Sequence, residues 1–247
     1  MTRLAGIPWS DAAAAVGGGE WWALLPIGST EAHGPHLPLS SDVVIAEAMA
    51  DGAAARLAAA GRRALVLPPL AYGVTECAHD FFGTLSITPA TLTALIVDLA
   101  RSLARHGCKR LALCNAHLEP DHRAALKSAA AAATAAGLPT LFPDIVRRAN
   151  AARLGAEFQS GACHAGAYES SIVLAARPEL VRDDLRVGLP ENPISIGAAL
   201  VAGKKTFKEA GGADAYFGAP AAASAMAGRE LIAMLGAIVA EAMLVPT

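Results

Sequence analysis

Residues 24–42 read LLPIGSTEAHGPHLPLSSD. The apolar run Ala23 to Ile27 breaks at Gly28, and Glu31, His33, His36 and Asp42 then arrive within twelve positions. A hydrophobic core has no use for four such side chains crowded behind a strand. Carboxylate oxygens and imidazole nitrogens are the ligands that Zn, Mn and Fe(II) take. Glu31 and His33 stand two apart, so on an extended backbone both face the same side. Gly34, Pro35 and Pro38 shape a turn that can bring Asp42 back onto that site. Asp42 also has a competing use as the cap of the helix that follows, a common role for aspartate.

Working outward, Glu20 to Ile27 is apolar almost throughout and reads as a strand buried on both faces. Asp11 to Val16 ahead of it is a short alanine-rich helix closed by Gly17, Gly18 and Gly19. Behind it, Ser41 or Asp42 starts a helix to about Ala60 that keeps Val44, Ile45, Ala48 and Met49 at helical spacing and stops at Gly61. Ala64 to Leu67 is the second strand. The loop LAYGVTECAHDFFGTLSI follows, and Thr75 and His79 at its crown are candidate substrate contacts. Thr88-Pro89 opens an amphipathic helix with Leu92, Leu95, Ile96, Leu99 and Leu103 on one side, ending at His106-Gly107.

Lys109 to Cys114 is the third strand, and Asn115, Ala116, His117, Leu118 and Glu119 lie directly beyond it, again placing a histidine and a carboxylate two apart. Pro120 to Ala136 is the next helix and Thr140 to Phe142 a short fourth strand. Residues 144–162 read as a charged helix and a loop. Cys163-His164-Ala165-Gly166-Ala167-Tyr168-Glu169-Ser170-Ser171 then opens onto an apolar helix, Ile172 to Ala176. Val187 to Gly212 reads as loop, a flap or an interface, and the last helix covers about Ala222 to Leu244. His122, in the first turn of a helix, is expected at the surface. Strands alternating with helices argue for a parallel sheet covered on both faces. The three polar clusters all fall just past a strand end or at a helix start, the edge where such sheets place their sites.

The bulk numbers agree with a globular α/β protein. The 247 residues are 54% hydrophobic and 17% charged, enough for a full core, and no repeat or linker divides residues 1–247 into domains. No uninterrupted run of about 18 to 20 strongly apolar residues is present, so no membrane span is expected. The first twenty residues lack the basic-then-apolar order of a signal peptide. A net charge of −2 without a basic patch argues against nucleic acid as a partner. The four cysteines form no CxxC pair, which suits buried thiols in a reducing cytoplasm.

G-S-T-E-x-H-G-P-H-L-P-L-x-x-D, then N-x-H after an apolar strand, then H-A-G-x-x-E-S-S, resemble the creatininase family of metal-dependent amidohydrolases over nearly the whole chain. FFGTLSI and GAPAAASAMAGREL resemble stretches flanking the family's motifs. The resemblance implies a single creatininase-like domain, a three-layer α/β/α sandwich with a mainly parallel central sheet, assembled as a homo-oligomer, commonly a hexamer. It implies two divalent ions, Zn or Mn with Fe also admissible. Glu31 and His117 would hold one, His33 the other, with Asp42 bridging. Glu119 and Glu169 are further candidate ligands, unranked, and His164 matches a histidine that moves protons near the substrate. Leu118, between His117 and Glu119, is a candidate substrate contact. Pro143 to Cys163 contains no tryptophan, whereas creatininase closes over its ring with tryptophans there, so creatinine is not the expected substrate.

The implied chemistry is attack by a metal-bound hydroxide on an amide carbonyl. Glu119, or Glu169 if Glu119 is held on metal, would take the water's proton, and His164 would protonate the leaving nitrogen. The expected substrate is a small cyclic or formyl amide. The alternatives are a peptidase trimming a peptide-derived cofactor precursor of the mycofactocin type, and a non-catalytic metal-binding scaffold.

Overall fold

The computed structural model describes residues 2–246. In chain order the elements are β1 (Thr2–Arg3), α1 (Trp9–Val16), β2 (Trp21–Ile27), α2 (Ser41–Ala59), β3 (Arg63–Val66), α3 (Pro89–Arg105), β4 (Cys108–Asn115) and α4 (Pro120–Ala135). Then come β5 (Thr140–Leu141), α5 (Arg148–Ala151), α6 (Ala156–Ser160), α7 (Ala167–Ala176), α8 (Asp183–Arg186), α9 (Ile196–Val201) and α10 (Ala225–Leu244). The sheet runs β1-β3-β2-β4-β5 with every pairing parallel.

β2 is buried along its whole length because it is central and covered on both sides. Trp22 and Leu24 pack into one cluster with residues of α2, α7 and α10. Trp21, Ala23, Leu25 and Ile27 pack with α3 and α4 on the opposite face. The alternation of a strand's side chains thus separates two cores and makes a three-layer α/β/α sandwich. Alanine serves close packing: Ala46, Ala50, Ala53 and Ala54 of α2 are buried, as are Ala237 and Ala240 of α10. A Cβ on Gly236 would stand 2.6 Å from the Gly52 carbonyl carbon, so α2 and α10 cross backbone against backbone. Larger residues there would force these helices apart.

The helix from Thr88-Pro89 forms as its signals indicate. The Thr88 hydroxyl accepts the Thr91 N–H at 3.1 Å, a cap worth about 1 kcal/mol. Several boundaries differ from expectation. β1 is a two-residue edge strand with too few residues to carry a periodic pattern. α7 starts at Ala167 rather than Ile172, which places Glu169 in its first turn. Residues 144–162 hold two short helices, α5 and α6, and the stretch read as loop between Val187 and Gly212 contains α9. α10 starts at Ala225, where the Ser224 hydroxyl accepts the Ala227 N–H. Among the described residues no helix is long and apolar enough to cross a membrane.

Candidate metal centre

β2 and β4 lie side by side, so the segments leaving their carboxyl ends emerge together. A Cβ on Gly28 would lie 2.5 Å from the Val43 nitrogen, so only glycine lets β2 end directly against the start of α2. That contact delivers Asp42 to the site from the first turn of α2, while Ser40 occupies the cap position. Glu31, His33, Asp42, His117 and Glu169 are each 4% exposed or less.

Together with His164 they form three overlapping groups, two of which share Asp42. Glu31, Asp42 and His117 make the first: His117 Nδ1 lies 3.2 Å from Glu31 Oε1 and 3.1 Å from Asp42 Oδ2. His33, Asp42 and Glu169 make the second: His33 Nε2 lies 3.4 Å from Asp42 Oδ1 and 3.5 Å from Glu169 Oε2. Asp42 therefore turns one oxygen to each of these two. His164 joins Glu31 and His33 in the third group, with Nδ1 3.8 Å from Glu31 Oε1 and its ring 4.3 Å from that of His33.

A backbone carbonyl takes one ring nitrogen of each of these three imidazoles. His117 Nε2–H donates to the Val74 carbonyl at 2.8 Å, His33 Nδ1–H to the Glu31 carbonyl at 3.1 Å and His164 Nε2–H to the Ala32 carbonyl at 2.9 Å. The other nitrogen of each ring is left facing carboxylates, as second-shell bonds arrange it in metal sites. His33 Nε2 and Asp42 Oδ2 are buried without a hydrogen-bond partner. Orphaned donor atoms, ring nitrogens turned toward carboxylates and an all-imidazole-and-carboxylate donor set give each triad the composition of a divalent-cation site.

Charge crowding shows in the acidities. Burial alone would lower His33, yet Asp42, Glu169 and Glu31 push it up to about 10. His117 is likewise raised, against its burial, by Glu31 and Asp42. Burial raises Glu169 to about 8, the His33 charge opposing and Asp42 adding. Burial works against the Asp42 carboxylate too, but His33 and His117 hold it below the usual range. His164 is pulled down to about 4 by burial and by the His33 charge.

The remaining candidates are dispersed. Glu119 lies outside both triads: its two oxygens accept the Glu76 and Cys77 N–H groups at 3.1 and 3.0 Å, which turns it toward the 76–77 loop. Burial raises its carboxyl. Thr75 is fully buried and donates its hydroxyl to Glu31 Oε2, so it steadies a triad residue instead of lining the cavity. His79 is exposed, with Nδ1 bonded to the Glu76 carbonyl at 2.6 Å and Nε2 3.3 Å from Asp80, away from the cavity wall. Leu118 does line the cavity. His36 bonds Ser170 through Nε2 at 2.9 Å and belongs to neither triad. Ala165, inside H-A-G, adopts φ 50°, a left-handed conformation costly for alanine, and its N–H donates to Glu169 Oε2 at 2.6 Å.

One supporting residue escaped the sequence reading. His122 is fully buried, not at the surface. Its Nδ1 accepts the Val74 N–H at 3.2 Å and its Nε2–H donates to Asn115 Oδ1 at 2.9 Å. The Asn115 amide in turn donates to the His117 carbonyl, and the His122 ring meets the His117 ring edge-on at 4.7 Å. Burial first, and then the His117 charge, lowers His122 to about 3, so it is neutral. The available signal was helical spacing: His122 shares its face with Ala125, Leu126 and Ala129, all buried.

Above the triads lies a cavity of about 190 Å³. Glu31, Asp42, His117, Glu119, His164 and Glu169 contribute to its lining, and most of the remaining wall is apolar. It can hold a small polar group against the triads with an apolar portion above.

Comparison with known proteins finds relatives both by sequence and by fold. Creatinine amidohydrolase from Pseudomonas putida is 37% identical over 118 residues, covering 46% of this chain and 44% of that protein. A mycofactocin precursor peptide peptidase from Mycobacterium ulcerans (strain Agy99) is 36% identical over 167 residues, 65% of this chain and 60% of that protein. These alignments thus span about half the length of the curated relatives. A crystal structure of creatinine amidohydrolase (creatininase) superposes with a TM-score of 0.73 at 26% identity, covering 100% of this chain and 99% of that one. The family model for creatininase, described as creatinine amidohydrolase, matches residues 5–243, and the chain belongs to that family.

Proposed function

We propose that the protein is a metal-dependent amidohydrolase that cleaves the C–N bond of a small cyclic or formyl amide at a dinuclear centre. The observation that carries this is the pair of buried triads sharing Asp42 at the floor of a cavity. Glu31, Asp42 and His117 would hold one ion, and His33, Asp42 and Glu169 the other. Creatininase structures described as Mn and as Zn-Zn type share this fold, which supports manganese or zinc as the occupants. When bound, such ions supply Lewis acidity for a carbonyl oxygen and lower the pKa of a water toward about 7.

The chain's own residues do the rest. Thr75 and the Ala165 N–H fix the carboxylates of Glu31 and Glu169, so the donors need little rearrangement on binding. Glu119 lines the cavity, and its raised carboxyl sits nearer neutrality, which suits a group that takes a proton from attacking water. His164 also lines the cavity with Nε2–H tied to the backbone and Nδ1 unprotonated at neutral pH, so Nδ1 is the atom that takes up a proton released by the attacking water and passes it to the leaving nitrogen. The apolar wall excludes water and strengthens these interactions.

A second reading, a peptidase acting on a short peptide, is favoured by the cavity lining, which contains no tryptophan among the described residues. Hydrolysis of a panel of cyclic amides, formamides and short peptides by zinc- or manganese-loaded protein, with and without chelator, tests both. Chelator-sensitive turnover of small amides supports the first reading and of peptides alone the second. A loaded protein with two ions per chain and no turnover across the panel would leave only a metal-binding scaffold.

A further inference from the structure

Above the triads the cavity wall is apolar, with Leu118, Val146, Ile196, Leu200 and Phe207 among its residues. Besides Glu119, one charged side chain breaks the pattern. Among the described residues Arg123 is the one lysine or arginine that lines the cavity. It stands on α4, four residues past Glu119, and its side chain is 20% exposed.

A buried carboxylate holds the guanidinium in place. Nε donates to Asp144 Oδ1 at 3.2 Å and Nη2 to Asp144 Oδ2 at 2.8 Å. Asp144 is itself fixed, since its Oδ1 accepts the Val146 N–H at 3.2 Å and its carbonyl accepts the Asn150 amide at 2.9 Å. A guanidinium has two edges that can each grip a carboxylate with parallel hydrogen bonds. Asp144 takes the Nε–Nη2 edge. Nη1, which completes the other edge, has no hydrogen-bond partner among the described residues. Lys127 Nζ lies 3.4 Å from Asp144 Oδ2, so two cations share one carboxylate and a positive charge is left over. An oriented arginine with a free edge beside an apolar wall matches a planar anion better than a neutral group.

We propose that Arg123 anchors a carboxylate on the substrate, so that the substrates are amides bearing a free carboxylate, such as N-acyl amino acids or short peptides with a free C-terminus. This rests on the amidohydrolase reading and narrows its substrate class. The apolar wall accommodates the chain between the two polar ends, and Asp144 pays no part in chemistry beyond orienting the guanidinium.

The test uses full-length zinc-loaded protein and matched pairs of N-acetyl amino acids and N-acetyl dipeptides, each as free acid and as C-terminal carboxamide. KM is measured for pairs that turn over and Kd by calorimetry for those that do not. A charged hydrogen-bonded pair is worth at least about a tenfold preference for the free acid in the wild type. Arg123→Met abolishes the preference at unchanged zinc content, and Arg123→Lys, which keeps the Asp144 pair and covers the case of a misfolded methionine variant, retains part of it. Equal affinity for acid and carboxamide in the wild type overturns the proposal. So does an acid preference that survives in Arg123→Met, which would come from the zinc ions themselves, and so does no binding by any pair at millimolar concentration. Preference without turnover of any pair would refute the amidohydrolase reading and leave the anchor standing, whereas turnover without preference would do the reverse.

Discussion

Replacing His122 with phenylalanine separates the support of one triad from that of the other. An aromatic ring is kept, somewhat larger than imidazole, so the edge-on contact with His117 survives, but both hydrogen bonds are lost. The Val74 N–H and Asn115 Oδ1 are then buried without their partners. Each orphan costs about 1 to 3 kcal/mol, so stability falls by about 2 to 6 kcal/mol in total. The effect on the site is more selective. Val74 is gripped twice, its carbonyl by His117 and its N–H by His122, while Asn115 ties His122 to the His117 backbone. None of these bonds reaches His33 or Glu169. Losing a partner behind a metal-binding histidine costs about 10- to 100-fold in affinity. Binding of the ion proposed at Glu31, Asp42 and His117 should therefore weaken by about 1.4 to 2.7 kcal/mol. The other should hold. Cobalt(II) titration followed by visible absorption reads the two steps separately, with thermal unfolding as the measure of stability. His122→Gln, whose amide both donates and accepts, should restore much of the weaker step. Equal weakening of both steps would mean a general loosening, and an unchanged titration would mean that His117 needs no support. Either result refutes the reasoning.

Asp42→Ala should lose both ions together, because one carboxylate faces both triads, and metal content by mass spectrometry that stayed at two per chain would overturn that role. Chelator-stripped protein at pH 7 carries protons on His33, at about 10, and on the raised His117, with Glu169 at about 8 also largely protonated. Metal loading should therefore release protons and tighten as pH rises, which calorimetry in buffers of different ionisation enthalpy measures; proton-neutral loading would refute it. These three groups titrate higher in the folded chain than in the unfolded one, so the stability they confer is present at low pH and is lost as pH rises through their folded values. The melting temperature of stripped protein should accordingly fall between about pH 7 and 10, while that of loaded protein changes less. Parallel pH profiles for the two forms would count against the charge crowding described.

The sequence alone carried the sandwich and the neighbourhood of the centre, because both depend on local rules. A continuous apolar run followed by Gly28 marks a central strand and its end, and β2, α2, α3, β4 and α4 all formed within about two residues of where their patterns and stop signals place them. Glu31, His33, Asp42, His117, His164 and Glu169 were visible as polar residues placed just past strand ends or before a helix. What they do to one another was not. Asp42 is a helix-start aspartate by every local signal, and only the abutment of β2 on α2 at Gly28 turns its two oxygens to two different histidines. The roles of Thr75, Glu119 and His79 depended on which way the 70–87 loop folds, and that is set by bonds from Glu119, His117 and His122, residues more than thirty positions away. His122 read as surface because a polar residue in a first helical turn usually is. It is buried because the Val74 backbone and Asn115 satisfy both of its nitrogens, and such pairing comes into existence only when distant segments meet.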